Sequence, residues 1–492
     1  MNKTALAVAI PLAVVGLAVA GAWYTGTRVE QEVNRSLAEA NTRMKELAPD
    51  AGISFSLLGI ERGLFSSTAR YQVNLADDKG GAPRTLVIAD RLEHGPFPPA
   101  RLARGELAPV MAQSHFSLEQ TPLTQPWFAA TAGQVPLSGE LTIGYDRSQT
   151  GELNLAALNY SARNDVLRLS PARLAFALSP DSTDMKVAAQ LDELDLTTLD
   201  PESAKPVRIE LRGIALAVRK LEMATGFATG PGSIKARSFA VQTEGAPRVV
   251  LQDVEVEEAL NKGAKGLDQT VSYRIGKLGV ADHDIGSLTL ALSARDLDEA
   301  ALKQLSDTYN QVALANLNSA DPLSAQLTPV QQTELQARAM RLLEGAPKLA
   351  LDELSLRTAH GEARMNLALD LRKPQGAVAD PTLLAAQMLA GLKAEVKVDK
   401  PLIGDLVALK ASLDGGQLDA VALKQESDAA SDLFSGMALN SKWARLEGNS
   451  LVSRLSYADA MVNFNGQAMS VQDFLAFALG SAQGLGLSQA AE

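Results

Sequence analysis

The sequence has no cysteine, four histidines and few aromatic residues, which make up 4% of its 492 positions. The absence of cysteine excludes disulfides, thiol nucleophiles, iron–sulfur clusters and cysteine-bound zinc. It also excludes a lipoprotein anchor, and it agrees with an oxidising compartment, where a large domain needs no disulfides. The low aromatic content leaves too few side chains for a platform that stacks nucleic-acid bases.

Basic residues are also fewer than acidic residues, which gives the chain a formal net charge of −11. Lysine and arginine are interspersed with acidic residues and form no basic stripe, which argues against nucleic acid as a partner. A chain of 492 residues has room for two or three folding units, or for one elongated β-structure.

Motifs that carry chemistry are missing. The sequence has no Gly-x-Ser-x-Gly, phosphate loop, dinucleotide fingerprint or HExxH motif. The histidines are far apart, and none has a partner at metal-ligand spacing; they are His94, His115, His283 and His360. We therefore predict no catalytic residue, no metal site and no cofactor, and a non-enzymatic protein.

The N-terminal segment Thr4–Tyr24 contains no charged residue. Its length is close to the roughly 20 residues that cross a bilayer as a helix. Lys3 precedes it, and Trp23 and Tyr24 are suited to the far interface. We predict a retained signal-anchor helix over residues 1–26, with the rest of the chain exported. A cleaved signal peptide, ending at Ala18-Val19-Ala20, is the alternative.

Residues 27–50 follow with an apolar stripe at helical spacing, which predicts a juxtamembrane amphipathic helix ending near Pro49. The stripe has two interpretations. It packs on the protein's own domain, or it forms a dimer seam through Val33, Leu37 and Met44.

An eight-residue pattern recurs in the middle of the chain: apolar, any, apolar, two residues, apolar, any, apolar. An extra residue would turn the later side chains to the wrong face of a strand, and a β-bulge restores that face. We therefore interpret the pattern as bulged strands, with one helical turn between strands as the alternative. The apolar positions are Leu153, Leu155, Leu158 and Tyr160; Ala189, Leu191, Leu194 and Leu196; Ile209, Leu211, Ile214 and Leu216; Val249, Leu251, Val254 and Val256; Tyr273, Ile275, Leu278 and Val280; and Leu349, Leu351, Leu354 and Leu356.

Plain alternating strands with short connections lie between these octets, so neighbouring strands should be antiparallel. Helices are clustered, which predicts an α+β fold: an N-terminal transmembrane helix, then a long, curved, bulged antiparallel sheet with helical insertions. Helices are expected over Asp298–Ala315, Thr328–Leu343, Asp380–Leu392 and Leu402–Leu413, with a last one capped by Ser470. Beyond residue 50, the predicted regions are a β region (51–296), a helical insertion (297–346), an α+β region (347–480) and a disordered tail (481–492).

Two short stretches are unusual for plain strands. One places Arg62 and Gly63 just before Phe65, where glycine indicates a bend between strands. The other, His94-Gly95-Pro96-Phe97, is a rigid proline-rich loop. A structural role accounts for both stretches. The functional alternative is that these seven residues bind a partner or a lipid surface.

Five stretches together resemble the YdgA-like family of bacterial proteins of unknown function. They are GAWYTG (21–26), RGLFSS (62–67), HGPFP (94–98), GSLTL (286–290) and NFNGQAMSVQDF (463–474). The resemblance spans essentially the whole chain and implies a single-pass inner-membrane protein of a Gram-negative bacterium, with its bulk in the periplasm. It implies no catalytic residues.

The predicted architecture is also similar, more loosely, to AsmA-type envelope proteins, which are thought to pass or shield lipid in a long β-groove. From the bulged strands and their aliphatic face we expect an apolar β-groove that contacts lipid or another envelope component. A membrane-tethered scaffold or homodimer is one alternative, and a hydrolase of envelope polymers is another.

Overall fold

The chain is described here from a computed structural model. It covers residues 37–38, 41–42 and 52–484, with gaps at 64, 76–83, 163–164, 182, 201–202, 223–227, 282, 318–327, 375–383, 385–386 and 414–419. The predicted anchor over 1–26 and most of the predicted helix over 27–50 lie outside the described residues. Among the residues that the structure describes, no helix combines the length and the hydropathy that a bilayer span requires.

Strands dominate the structure. The first eleven are β1 (Ile53–Arg62), β2 (Ser66–Leu75), β3 (Arg84–His94), β4 (Ala112–Leu118), β5 (Leu137–Ile143), β6 (Gln149–Leu155), β7 (Leu158–Ala162), β8 (Asp165–Leu169), β9 (Ala172–Leu178), β10 (Asp184–Leu199) and β11 (Pro206–Glu222). The others are β12 (Ala228–Thr243), β13 (Val249–Lys262), β14 (Leu267–Val280), β15 (His283–Leu297), β16 (Lys348–Arg357), β17 (Glu362–Leu371), β18 (Leu389–Asp399), β19 (Arg445–Glu447), β20 (Ser450–Ala458), β21 (Met461–Phe464) and β22 (Gln467–Ser470).

The helices fall mostly in the second half of the chain. They are α1 (Pro99–Ala103), α2 (Gln125–Ala130), α3 (Glu299–Leu317), α4 (Pro329–Leu342), α5 (Lys400–Leu413), α6 (Ala420–Asn440) and α7 (Val471–Gly484). This arrangement confirms a mainly antiparallel α+β fold with clustered helices.

The chain divides into two compact units. The first consists of Met1–Ile234 and Lys303–Leu335, and the second of Lys235–Leu302 and Gln336–Glu492. The units divide inside β12, inside α3 and inside α4, so these divisions differ from the predicted region boundaries at residues 297 and 347.

The sheet of the first unit is an antiparallel series in the order β1, β2, β3, β4, β5, β6, β9, β10 and β11. Its closed hydrophobic core lies at the N-terminal end of this series, where alternate residues of β1 to β6 face inward. Tyr71, Leu141 and Ile143 are almost completely buried there, with Phe116 and Phe128 beside them.

The sheet of the second unit is also antiparallel, in the order β13, β14, β15, β16, β17, β18, β20, β21 and β22. At its far end, Phe464 contacts Trp443, Phe474 and Phe477 with ring centroids 5.4 to 5.5 Å apart. These aromatic contacts pack α7 against the hairpin of β21 and β22.

The octet in β16 is a β-bulge, as predicted. Its neighbour β15 pairs Ala291 with Glu353 but Leu292 with Leu351, which leaves Asp352 as the extra residue. All four leucines of the octet consequently lie opposite alternate residues of one regular strand, and therefore share one face of the sheet.

Four of the other octets face each other in pairs. In β10 and β11 the apolar positions pair one to one without a register shift, and Gly213 at the extra position of β11 has a φ of +61°. In β13 and β14 the same holds, and Asp253 has a φ of +51°. Because both strands of each pair carry one extra residue at the same position along the ladder, the cross-strand register is unchanged beyond it.

The first octet is interrupted, since Leu155 ends β6 and Leu158 begins β7. None of the six octets is a helical turn, so that alternative is wrong. One helix prediction also needs correction, and one helix was missed. Leu389–Leu392, expected at the end of a helix, begins β18, because pairing with β17 outweighs local helix propensity. Helix α6 was not predicted at all.

The last predicted helix is confirmed. The Ser470 hydroxyl accepts a hydrogen bond from the Asp473 amide (3.1 Å) and donates one to the Asp473 carboxylate (2.7 Å). This is a cap that satisfies a backbone donor of the first turn. The helix continues to Gly484, into the segment predicted as a tail, and residues 485–492 lie outside the described part.

Candidate functional site

One face of the second unit's sheet is continuous and apolar across β14 to β18. Cross-strand pairing aligns four rows of side chains, which we call the apolar face. The rows are Gln269, Ala294, Leu349, Leu369 and Leu392; Val271, Leu292, Leu351, Leu367 and Ala394; Tyr273, Leu290, Leu354, Met365 and Val396; and Ile275, Leu288, Leu356, Ala363 and Val398. Only Gln269 is strongly polar, and no member is charged.

The apolar face remains open to solvent. The most exposed members are Tyr273 (43%), Leu292 (41%), Leu354 (39%), Leu349 (38%) and Val396 (36%). A cavity of about 410 Å³ lies over the first two rows. Contiguous exposed apolar surface is unusual on a soluble protein and marks a contact site.

The opposite face of these strands and of the neighbouring β13 is charged. Arg274 lies 3.3 Å from both Glu255 and Glu257, and Arg364 lies 3.1 Å from Glu353. These exposed ion pairs contribute little to stability. They do give the sheet one charged and one apolar face, because successive side chains of a strand point to opposite faces.

The structure brings together the two unusual stretches of the first unit. The His94 amide donates to the Phe65 carbonyl oxygen (2.9 Å), and the Ser67 hydroxyl lies 3.0 Å from His94 Nε2. The Gly63 amide donates to the Ser66 carbonyl (2.8 Å), which closes the turn after Arg62.

Beyond His94, two hydrogen bonds hold the loop to the segment just before β4. The Gly95 amide donates to the Met111 carbonyl (2.8 Å), and the Val110 amide donates to the Pro96 carbonyl (3.0 Å). The Gly95–Pro96 peptide bond is cis. Phe65 and Phe97 remain 71% and 50% exposed. The seven predicted residues therefore form one rigid end of the sheet that presents two aromatic side chains.

A buried carboxyl near this end was missed by the sequence reasoning. Asp90 accepts hydrogen bonds from the Ser114 hydroxyl (2.6 Å) and the Tyr71 hydroxyl (3.4 Å) inside the core. Burial, which outweighs these hydrogen bonds, raises the pKa of Asp90 to about 6. The signal was present, because alternation in β3 places Asp90 in line with the inward-facing Ile88 and Leu92.

The histidines make separate contacts. His115 Nδ1 lies 3.4 Å from Glu140, and His360 Nδ1 lies 2.7 Å from Asp405. His283 begins β15, beside Asp284, which pairs with Lys277 at 3.0 Å. No cluster of three or more potential metal ligands occurs among the described residues.

Of the candidate dimer residues, only Leu37 is described. It is buried within the core of the first unit, and nearby Asn41 exchanges hydrogen bonds with both backbone groups of Phe55 (2.7 and 2.9 Å). These contacts favour packing of this helical stretch on the protein's own domain. Val33 and Met44 lie outside the described residues.

These features define a class of protein: an α+β chain built on a bulged antiparallel sheet with an open apolar face. Residues 1–472 match a family described as bacterial proteins of unknown function, DUF945, and the chain belongs to that family. Protein YdgA of Escherichia coli K12 is 26% identical, over 96% of each chain.

Two further relatives are uncharacterised. YihF of the same organism is 23% identical, over 96% of this chain and 98% of its own. A protein of Haemophilus influenzae is 28% identical over 32% of this chain and 44% of its own. No solved structure is significantly similar. The resemblance to the YdgA-like family is thus confirmed.

Proposed function

We propose that this protein is a non-enzymatic, single-pass inner-membrane protein whose periplasmic part contacts the acyl chains of envelope lipids through the apolar face. The observation that carries the proposal is the set of four aligned rows without a charged residue, left open to solvent. The uncharged segment Thr4–Tyr24 supports the membrane tether.

The energetics favour a long chain over a small apolar molecule. Covering the exposed part of one leucine in these rows contributes about 1 kcal/mol, since burial of a whole leucine side chain contributes roughly 1.5–3 kcal/mol. Association costs at least about 4 kcal/mol in lost translational and rotational freedom. A ligand must therefore cover several of these residues at once, which an extended acyl chain does.

The geometry also suits an acyl chain. The rows run across neighbouring strands about 4.8 Å apart, so the five strands of the apolar face extend roughly 20 Å. Tyr273, Leu354 and Val396, which belong to the third row and to β14, β16 and β18, are exposed along this direction. An acyl chain lying across the strands would touch one apolar residue per strand without meeting a charge.

Crosslinking in cells tests the proposal with the full chain. We expect Leu354, replaced with p-benzoylphenylalanine and irradiated in a Gram-negative host, to give a phospholipid adduct visible by mass spectrometry. The physical reason is that this side chain is 39% exposed in the middle of the rows. Adding Leu292→Asp should lower the adduct yield at least fivefold, because it places a charge in the neighbouring row.

Leu123 is the matched control, because it is 38% exposed but belongs to the first unit. The same photoreactive residue at position 123 should give no lipid adduct, and Leu123→Asp should leave the yield at position 354 unchanged. Equal lipid adducts at positions 354 and 123 would contradict the proposal. So would a yield at position 354 that is insensitive to Leu292→Asp.

A further inference from the structure

A second pocket, of about 420 Å³, lies at the C-terminal end of the second unit. It is bounded by the end of α6, by β19 and the loop before it, by the hairpin of β21 and β22, and by α7. Its apolar walls are Leu439, Leu446, Phe464, Met469 and Phe477. None of these residues belongs to the apolar face, so the pocket is a separate site.

The pocket is held in shape by one buried amide. The Asn465 side-chain oxygen accepts from the Arg454 amide (2.8 Å), while its nitrogen donates to the carbonyls of Lys442 (3.2 Å) and Trp443 (3.1 Å). Asn465 is buried and has a φ of +50°, a conformation that asparagine tolerates better than most residues. The hairpin and the loop after α6 are therefore tied together across the pocket.

Two cations line the same pocket. Lys442 and Arg445 both contribute to its wall, and no carboxylate does. In the described part of the chain, neither cation forms a direct ion pair. The nearby acid Glu447 is bonded to Arg454 (3.0 Å), and this bond is the main cause that lowers the pKa of Glu447, with a smaller contribution from Arg445.

Glycine keeps the guanidinium site open. A Cβ on Gly466 would lie 3.3 Å from Arg445 Nη1, closer than ordinary van der Waals contact, and Gly466 has a φ of +80°. The turn of the hairpin thus leaves room for the Arg445 head group beside the pocket.

We propose that this pocket binds a long-chain carboxylate of the fatty-acid type. The carboxylate is held by Lys442 and Arg445, and the chain packs against Phe464, Met469 and Phe477. Charge-assisted bonds to a carboxylate are stronger than neutral hydrogen bonds, and arginine suits this planar group. A volume of about 420 Å³ is near the lower end for ligand pockets, so it accepts one chain rather than a two-chain phospholipid.

Trp443 provides an internal reporter, because its ring lies 5.4 Å from Phe464 and 5.6 Å from Phe477. The test uses the full chain in lipid nanodiscs, with Trp23→Phe and Trp127→Phe leaving Trp443 as the single tryptophan. Titration with dibromostearate should quench Trp443. The double variant Lys442→Gln/Arg445→Gln should need at least tenfold more acid for half quenching.

The role of the two cations is tested by separate controls. A dibrominated alcohol of the same length should quench both proteins equally, because it carries no charge. Arg445→Lys should keep most of the acid affinity. Lys424→Gln, an exposed change on α6, should have no effect. Circular dichroism should show that each variant is folded.

Two results would overturn the proposal. The first is that the acid quenches Trp443 no better in the parent protein than in the double variant. The second is that the double variant loses affinity for the acid and for the alcohol to the same extent. Neither result bears on the apolar face, whose lipid adduct at position 354 is measured separately.

Discussion

Replacing Gly95 with alanine should destabilise the first unit by about 3 kcal/mol or more. A Cβ at this position would collide with the backbone carbonyl oxygen of Val110 and lie only 2.7 Å from that of Met111. Both contacts are with backbone, which cannot move aside as a flexible side chain can. Relief of the clash would also break the hydrogen bond from the Gly95 amide to Met111.

Trp127 packs against the core of the first unit, so its fluorescence reports this change. In a Trp23→Phe/Trp443→Phe background, the urea midpoint of the Trp127 transition should fall sharply for Gly95→Ala. Gly59→Ala is the matched control, because no atom lies within 4 Å of its added Cβ and its φ is not positive. Equal midpoints for the two variants would show that the loop at Gly95 has room to adjust.

The second large effect is expected at Asp90, whose pKa is raised from 3.8 to about 6 by burial in the folded chain. The folded state then keeps a proton that the unfolded state loses as the pH rises from about 4 to about 6. The free energy of unfolding therefore has its full contribution from this group below about pH 4. That contribution falls as the pH rises through this interval, and above about pH 6 it does not change further. The shift corresponds to about 3 kcal/mol.

Asp90→Asn should remove this pH dependence, because asparagine keeps the shape of the protonated acid but carries no charge. We expect the variant to be more stable than the natural chain at pH 7.5, by up to about 3 kcal/mol, and similar to it at pH 4. Urea unfolding followed through Trp127, at several pH values between 4 and 8, measures both quantities.

Asp181→Asn provides the contrast for this experiment. Hydrogen bonds from Ser179 and Thr183 lower the pKa of exposed Asp181 to about 2, so it does not titrate between pH 4 and 6. The loss of stability across that interval should persist in this variant. A slope that also persists in Asp90→Asn would mean that another group causes it.

The strand content and the bulges were predictable from the sequence because both depend on local side-chain alternation. Leu349, Leu351, Leu354 and Leu356 show this directly, since their spacing alone requires one residue to be looped out. The cap of α7 was predictable for the same reason, because Ser470 and Asp473 interact within one turn.

Helix predictions failed where long-range pairing or weak local signals governed the outcome. The segment Leu389–Leu392 has good helix formers, but it pairs with β17, and Leu392 lies opposite Leu369. Helix α6 was missed because the sequence has no large apolar residue between Leu423 and Leu433, although Asp419, which precedes the helix, is a residue type that favours helix starts.

The candidate sites were only partly predictable. The stretches around Arg62 and His94 stood out because glycine and proline restrict or bend the backbone, and the structure joins them through the His94 amide. The cluster of Asp90, Tyr71 and Ser114 comes from three different strands. Sequence spacing does not reveal such a meeting, because it depends on which strands become neighbours.

The sequence alone determined that the chain is rich in alternating and bulged strands, lacks thiol chemistry and contains an uncharged segment of membrane-spanning length at Thr4–Tyr24. Only the tertiary structure decided that the leucines of β15, β16 and β17 align in rows, and that Asn465 joins a hairpin to the loop after α6. The physical reason is that alternation and composition are local properties. Cross-strand register and long-range hydrogen bonds exist only once distant segments have chosen their partners.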